Sequence, residues 1–114
     1  MVIDAYIPEE GDIVWLGFTP QSGHDQEGRR PGLVISPKKY NRIGLALICP
    51  ITSKQKGYPF EISLSSSDGF TSGVVLADQI RSLDWKARNA SFKETADAAV
   101  VDGVKDLLLL LIGK

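Results

Sequence analysis

The apolar residues of this chain come in short runs cut by turn residues, and only the last stretch repeats at helical spacing. No other feature limits the fold as much. Strands that follow one another without helices between them have to pair antiparallel, and a chain of this length closes them into a small barrel. Residues 12–18 (DIVWLGF) are β-branched and aromatic after the turn signal Glu10-Gly11, so a first strand begins there. Pro31 opens residues 32–36 (GLVIS), which end at Pro37, and residues 43–51 form the longest apolar stretch before the tail. In residues 60–64 (FEISL) apolar and polar positions alternate, as in a half-exposed strand. Residues 65–72 read as a loop, 73–77 as another strand, and 79–83 as extended chain running into Trp85. The tail differs: from Thr95 or Asp97, either of which suits an N-cap, Val100, Val104, Leu107, Leu108 and Leu111 recur at helical spacing, and Gly113 is placed to end the helix. The spacing predicts a core-facing stripe. Val101 and Ile112 widen it enough to meet a second subunit.

With 114 residues, 43% of them apolar and 24% charged, the chain is expected to form a single domain over residues 1–114. Its one cysteine, Cys49, sits inside an apolar run and reads as a small buried hydrophobe rather than a nucleophile, so no internal disulfide forms and a reducing cytoplasm is the expected setting. The longest apolar run, Leu107 to Ile112, falls far short of the roughly twenty residues needed to span a bilayer. One His and one Cys give no metal-ligand spacing. A mechanism without metal or cofactor is therefore expected.

The net charge of -1 gives no global sign of a polyanionic partner, but the charge is uneven. No acidic residue lies between Glu27 and Glu61, whereas Arg29, Arg30, Lys38, Lys39, Arg42, Lys54 and Lys56 all do. Such a basic half suits a surface that tracks phosphates, although Lys38 and Lys39 also read as ordinary turn lysines. Immediately before it, residues 23–31 (GHDQEGRRP) place an imidazole, two carboxylates and two guanidiniums between glycines, next to a proline that keeps the loop from becoming helical. Acid, base and cation within reach of one another are what phosphodiester cleavage needs: a base on the nucleophile, an acid on the leaving oxygen, and a fixed cation at phosphorus.

A barrel can bring this loop to the same end as the polar, basic loop 52–57 (TSKQKG). The first loop supplies His24, Asp25 and Arg30; the second supplies Thr52, Ser53, Lys54 and Lys56. Trp15, Phe18 and Tyr58 are the aromatic candidates for stacking on the bases of a single strand. Trp15 reads equally well as a core residue of the first strand.

Over nearly its whole length the chain resembles the MazF/PemK (Kid) toxins of bacterial toxin–antitoxin pairs. The resemblance is carried by Gly11 to Trp15 (GDIVW), Gly23 to Gln26 (GHDQ) with Gly28 and Arg30-Pro31, Ser36-Pro37 and Tyr40-Asn41. It continues through Pro50 to Ser53 (PITS), Lys56 to Glu61 (KGYPFE), Gly73 to Leu76 (GVVL), Ala77 to Gln79 (ADQ) and Trp85 to Arg88 (WKAR). It implies an SH3-like small β-barrel of the CcdB/PemK type with a C-terminal helix. It also implies a homodimeric, sequence-specific endoribonuclease that cuts single-stranded RNA without the ribosome, and a MazE-like antitoxin whose tail lies across the RNA cleft. In that family the ribose 2'-OH attacks its own 3'-phosphate and leaves a cyclic phosphate and a 5'-OH.

By position, the resemblance makes Arg30 the essential cation and Thr52 a hydrogen-bond partner of the phosphate. Asp78 and Gln79 become substrate contacts, and Arg29, Arg81 and Arg88 further cations for RNA. The base stays open among Asp25, His24 and Asp78. Two positions depart from the family's pattern: Asp25 stands where many members have Glu, and Leu76 stands where the Kid branch has Arg. A shared fold does not by itself distinguish such an enzyme from a CcdB-like toxin that poisons DNA gyrase, or from a barrel that binds RNA without cutting it.

Overall fold

The computed structural model describes residues 5–18, 28–64 and 71–113. His24 and Asp25, with most of the 23–31 segment, lie outside the described residues. Among those described, the chain forms β1 (Asp12–Gly17), β2 (Arg29–Val34), a short helix α1 (Lys38–Asn41), β3 (Leu45–Thr52), β4 (Glu61–Ser63), β5 (Val74–Leu76), a single 3₁₀ turn (Ala77–Gln79), β6 (Arg81–Asp84), β7 (Ser91–Thr95) and the terminal helix α2 (Ala98–Ile112). The expected mainly-β fold with a C-terminal helix is the fold observed.

All strand pairs are antiparallel, in the order β4-β5-β3-β2-β1-β7, with β6 added to β3. The eight-residue β3 is the hinge of this arrangement. Its first half pairs with β6, from Leu45 opposite Asp84 to Ile48 opposite Arg81, and its last two residues pair instead with β5, Thr52 opposite Val74. One strand thereby belongs to two sheets, which curls them around a common interior.

Alternation along the strands builds two cores, one on each face of the central sheet. Ile13, Leu33, Cys49 and Ile51 face α2 and are covered by Val100, Val101 and Val104. Val14, Leu16, Val34 and Ile48 face the other way and pack with Phe18, Ala46, Leu83 and Trp85. Leu16, Leu33 and Ile48 are fully buried, and each contributes roughly 1.5–3 kcal/mol of transfer free energy. A polar knot ties α1 to this framework: Ser36 Oγ donates to Asn41 Oδ1 (2.5 Å), Asn41 Nδ2 donates to the carbonyls of Pro8 (2.8 Å) and Ser36 (3.0 Å), and Trp85 Nε1 donates to the Asn41 carbonyl (2.8 Å). Every polar atom of the buried Asn41 side chain is therefore used.

The N-cap of α2 is Asp97 rather than Thr95, which ends β7. Gly113 closes the helix in the left-handed conformation, its N–H bonded to the Leu109 carbonyl at 3.0 Å. The core stripe begins where the periodicity predicts and ends one turn earlier. Val100, Val101 and Val104 are buried, Leu107 and Leu108 are half-buried, and Leu111 is 49% exposed because the helix outruns the sheet beneath it.

Candidate functional site

The strand register brings two of the predicted site residues, Arg30 and Thr52, to one end of the sheet. Leu16 on β1 faces Arg30 on β2, and Gly32 on β2 faces Pro50 on β3. Two residues past that last pair, Arg30 and Thr52 leave the sheet at the same end. By alternation both side chains belong to the Leu16–Ile48 face. Ile48 is opposite Arg81 on β6, which puts a second guanidinium on that face; its Cζ lies 5.9 Å from the Phe18 ring centre. Gly32 lets the core on that face close up, because a Cβ there would lie 2.6 Å from Ile48 Cγ2 and 3.1 Å from Phe18 Cζ.

Beside them opens a cleft of about 210 Å³ lined by Thr52, Lys54, Lys56, Tyr58, Phe60, Glu61, Leu76, Asp78 and Gln79. Thr52 lines it and is held firmly. Its Oγ1 accepts the Lys54 N–H at 3.1 Å, which leaves the hydroxyl proton to be donated elsewhere. Behind it, Gly73 packs backbone to backbone: a Cβ on Gly73 would fall 2.2 Å from the Thr52 carbonyl oxygen, and its φ of +109° favours glycine in any case. Asp78 and Gln79 reach the cleft from the 3₁₀ turn, both exposed. Tyr58 is 60% exposed, with Lys56 Nζ 6.0 Å from its ring centre, so one aromatic face is presented to solvent among cations.

Several predicted residues have other occupations. Phe18 is only 8% exposed and belongs to the core, so it serves as a wall under Arg81 rather than as a stacking platform. Arg88 Nη1 donates to the carbonyls of Gly17 (3.0 Å) and Phe18 (2.8 Å), fastening the end of β1 instead of reaching for a phosphate. Arg29 Nη2 likewise donates to the Trp15 carbonyl (3.2 Å) and Ser91 Oγ (3.0 Å), tying β1, β2 and β7 together. Trp15 is 38% exposed, on the sheet face opposite the Arg30 side chain, with Lys93 Nζ 5.4 Å from its ring centre. Ser53 is exposed next to the cleft lining. The basic half of the sequence is not one surface: Lys38, Lys39 and Arg42 belong to α1 and its C-cap, beyond the start of β3 and roughly 20 Å from Thr52 at its end.

Cys49 is fully buried, and burial pushes its thiol up to about 12, with the negative charge of Asp78 adding to the effect. It stays protonated at neutral pH and takes no part in nucleophilic chemistry. Among the described residues no cluster of His, Cys, Asp and Glu is arranged to hold a metal ion, and no helix is long and apolar enough to cross a membrane.

Residues 9–112 match the family of PemK-like, MazF-like toxins of type II toxin–antitoxin systems. The chain belongs to that family. It is 41% identical over 113 residues to the endoribonuclease toxin MazF of Escherichia coli (strain K12), an alignment that covers 98% of this chain and all of the relative. Among solved structures, MazF of Deinococcus radiodurans superposes with a TM-score of 0.86 at 52% identity, over 96% of this chain and all of that one. The toxin in a MazE–MazF complex from the same organism gives 0.84 at 47% identity, over 96% and 98% of the two chains. Like its MazF relatives, the chain is mostly antiparallel β with one C-terminal helix.

One cleft residue, Glu61, has no part in the sequence-based assignment of the site. Its alternation within a half-exposed strand makes it read as a solvent-facing acid. The backbone amides it accepts from become visible only in three dimensions.

Proposed function

We propose that this protein is a sequence-specific, ribosome-independent endoribonuclease toxin. It cleaves single-stranded RNA without metal and is neutralised by a MazE-like antitoxin. The reading rests on the convergence of Arg30, Arg81 and Thr52 on one sheet face, beside a cleft that carries Lys54, Lys56, Asp78, Gln79 and an exposed Tyr58. Relatives named endoribonuclease toxins, and a MazE–MazF complex of the same fold, support it.

In the reaction we assign, the 2'-oxygen bonds to phosphorus as the bond to the 5'-oxygen breaks, so a 2',3'-cyclic phosphate and a 5'-OH remain. The 2'-OH proton passes to a base supplied by the segment holding His24 and Asp25, or by Asp78. The leaving 5'-oxygen takes its proton from solvent water. A guanidinium is a poor acid because its pKa is so high, and Arg30 therefore acts by countering the charge that builds on the phosphoryl oxygens. The Thr52 hydroxyl, its acceptor side taken by the Lys54 amide, donates to one of those oxygens. Tyr58 gives a base a surface to stack on.

The test is to incubate the purified protein with a long single-stranded RNA in excess EDTA and map cut sites and termini. Discrete cuts with cyclic phosphate and 5'-OH ends are expected, and they identify the recognised sequence directly. Intact RNA from a folded sample would refute the reading and point to a CcdB-like toxin that acts on a protein.

We further propose that the protein works in the cytoplasm as a homodimer. The exposure of Leu45 and Leu47 on β3 and of Leu111 and Ile112 on α2, each more than a third exposed, supports the dimer.

A further inference from the structure

Among the described residues lining the cleft, Glu61 is held by two consecutive backbone amides: Oε2 accepts the Lys56 N–H and Oε1 accepts the Gly57 N–H, both at 3.0 Å. Two consecutive amides aimed at one carboxylate form the kind of concavity that ordinarily receives an anion. Here the anion is built in. The main chain at Glu61 adds a third tie, its N–H donating to the Tyr58 carbonyl at 3.2 Å. At the other end of the same loop, Thr52 Oγ1 holds the Lys54 amide. The segment 52–61 carries both lysines and the exposed tyrosine of the cleft, and between those anchors residues 53–59 are exposed while Phe60 is half-buried.

We propose that Glu61 is a positioning residue for RNA binding, acting through the Lys56 and Gly57 amides to set the loop that presents Lys54, Lys56 and Tyr58. The inference rests on the ribonuclease reading for its substrate. It does not place Glu61 in contact with the reacting phosphate. A carboxylate that chelates two amides costs the loop its freedom before RNA arrives, so less ordering entropy opposes binding. Without it the two lysines still carry charge, but they are spread over many loop conformations and meet fewer phosphates at once. The effect therefore belongs to substrate binding rather than to the chemical step.

The experiment compares wild type, Glu61→Gln and Glu61→Ala in steady-state RNA cleavage across a salt series, with thermal melts alongside. For Glu61→Ala, KM is expected to rise about tenfold, the effect of losing hydrogen bonds to a charged group, while kcat stays within about twofold. The log–log salt slope of binding flattens by about 0.7 for each phosphate that the loop no longer neutralises. Glu61→Gln keeps one acceptor oxygen and falls between the two. A merely structural role would lower Tm and depress kcat along with kcat/KM, with the slope of the remaining folded protein unchanged, and that result overturns the proposal, as does an unaltered KM. If wild-type protein binds RNA without cutting it, the ribonuclease reading fails, and the same salt slope measured on binding alone still decides the role of Glu61.

Discussion

Arg30 owes its direction to the strand it ends, since the backbone of β2 is fixed against Leu16 on one side and β3 on the other. Its side chain is exposed, so Arg30→Ala removes no buried contact, and stability should change by no more than about 0.5 kcal/mol. Cleavage should fall by about 10²–10³, the usual effect of deleting a charge aimed at a developing oxyanion. Cleavage rates and a thermal melt of the variant check both halves; full activity would remove Arg30 from the site. Cys49 leads to a prediction of the opposite kind, on stability alone. An acid whose folded pKa lies above its unfolded one holds its proton more tightly in the native state, so its stabilising effect is complete below the unfolded value and fades as pH rises through the folded one. For Cys49 the window runs from the ordinary 9.0 towards about 12, at up to about 1.4 kcal/mol per pH unit. Tyr6, raised first by burial and then by its hydrogen bond to Asp12, adds a similar loss that begins near pH 10, the ordinary value of 10.0. Urea midpoints at about pH 8 and about pH 10 should therefore separate for wild type, and converge for Cys49→Ala even though that variant is weaker at both. An unchanged separation in Cys49→Ala would show that the thiol is not the group responsible.

Between β3 and β5 the decisive contact is made by two backbones. Gly73 and Gly57 both have positive φ, +109° and +80°, yet a Cβ on Gly73 meets the Thr52 main chain while one on Gly57 meets nothing within 4 Å. Gly57→Ala should thus cost only the conformational strain, about 1 kcal/mol. Gly73→Ala must also push Thr52 aside, and should cost about 1–3 kcal/mol more and depress kcat. Denaturant melts and cleavage rates of the pair test this, and equal losses in the two variants would contradict it. The same β3–β5 contact marks how far the sequence could be read. Strands β1, β3, β4 and β5 were legible from their apolar or alternating runs, and the α2 helix from its spacing. Strand β2 begins at Arg29, three residues before the expected 32–36, because the charged Arg29-Arg30 pair reads as loop. Strand β6 was legible only as extended chain leading to Trp85. The β7 strand was not. Residues 91–95 (SFKET) contain one large apolar side chain, Phe92, and it is 50% exposed, since β7 is an edge strand paired with β1 across a register shift. Arg30, Thr52, Lys54 and Lys56 were legible as candidates from charge and presumed loop position, although Arg30 and Thr52 lie within β2 and β3. The occupations of Arg29 and Arg88 were not, because a guanidinium that donates to carbonyls of a distant strand carries the same local sequence signal as one that waits for a phosphate.

At the scale of the whole molecule, the two faces of the central sheet are covered unequally. By alternation Leu45 and Leu47 share a face with Cys49 and Ile51, and α2 buries the latter pair while leaving the former 38% and 37% exposed. Ile80, half-buried in the cluster under α2, immediately precedes the strand whose Ser82 is opposite Leu47, so the covered and uncovered parts form one apolar face. On α2, one turn beyond the half-buried Leu107 and Leu108, Leu111 and Ile112 are likewise exposed, at 49% and 74%. Isolated surface leucines need no explanation, but large apolar side chains exposed both on a strand and on the helix packed over the same sheet face suit an interface. A second copy of the chain fits it: an isologous contact sets the same face against itself, and it lies on the opposite side of the sheet from the Arg30 and Thr52 side chains, which leaves the cleft open to RNA. Leu47→Glu and Leu111→Glu place a charge on this face without touching either core, so each should leave the protomer folded, with stability changed by no more than about 0.5 kcal/mol. Sedimentation equilibrium should then report a dimer for wild type and a monomer for each variant. A wild-type monomer, or a dimer that survives both substitutions, would place the interface elsewhere or deny it altogether.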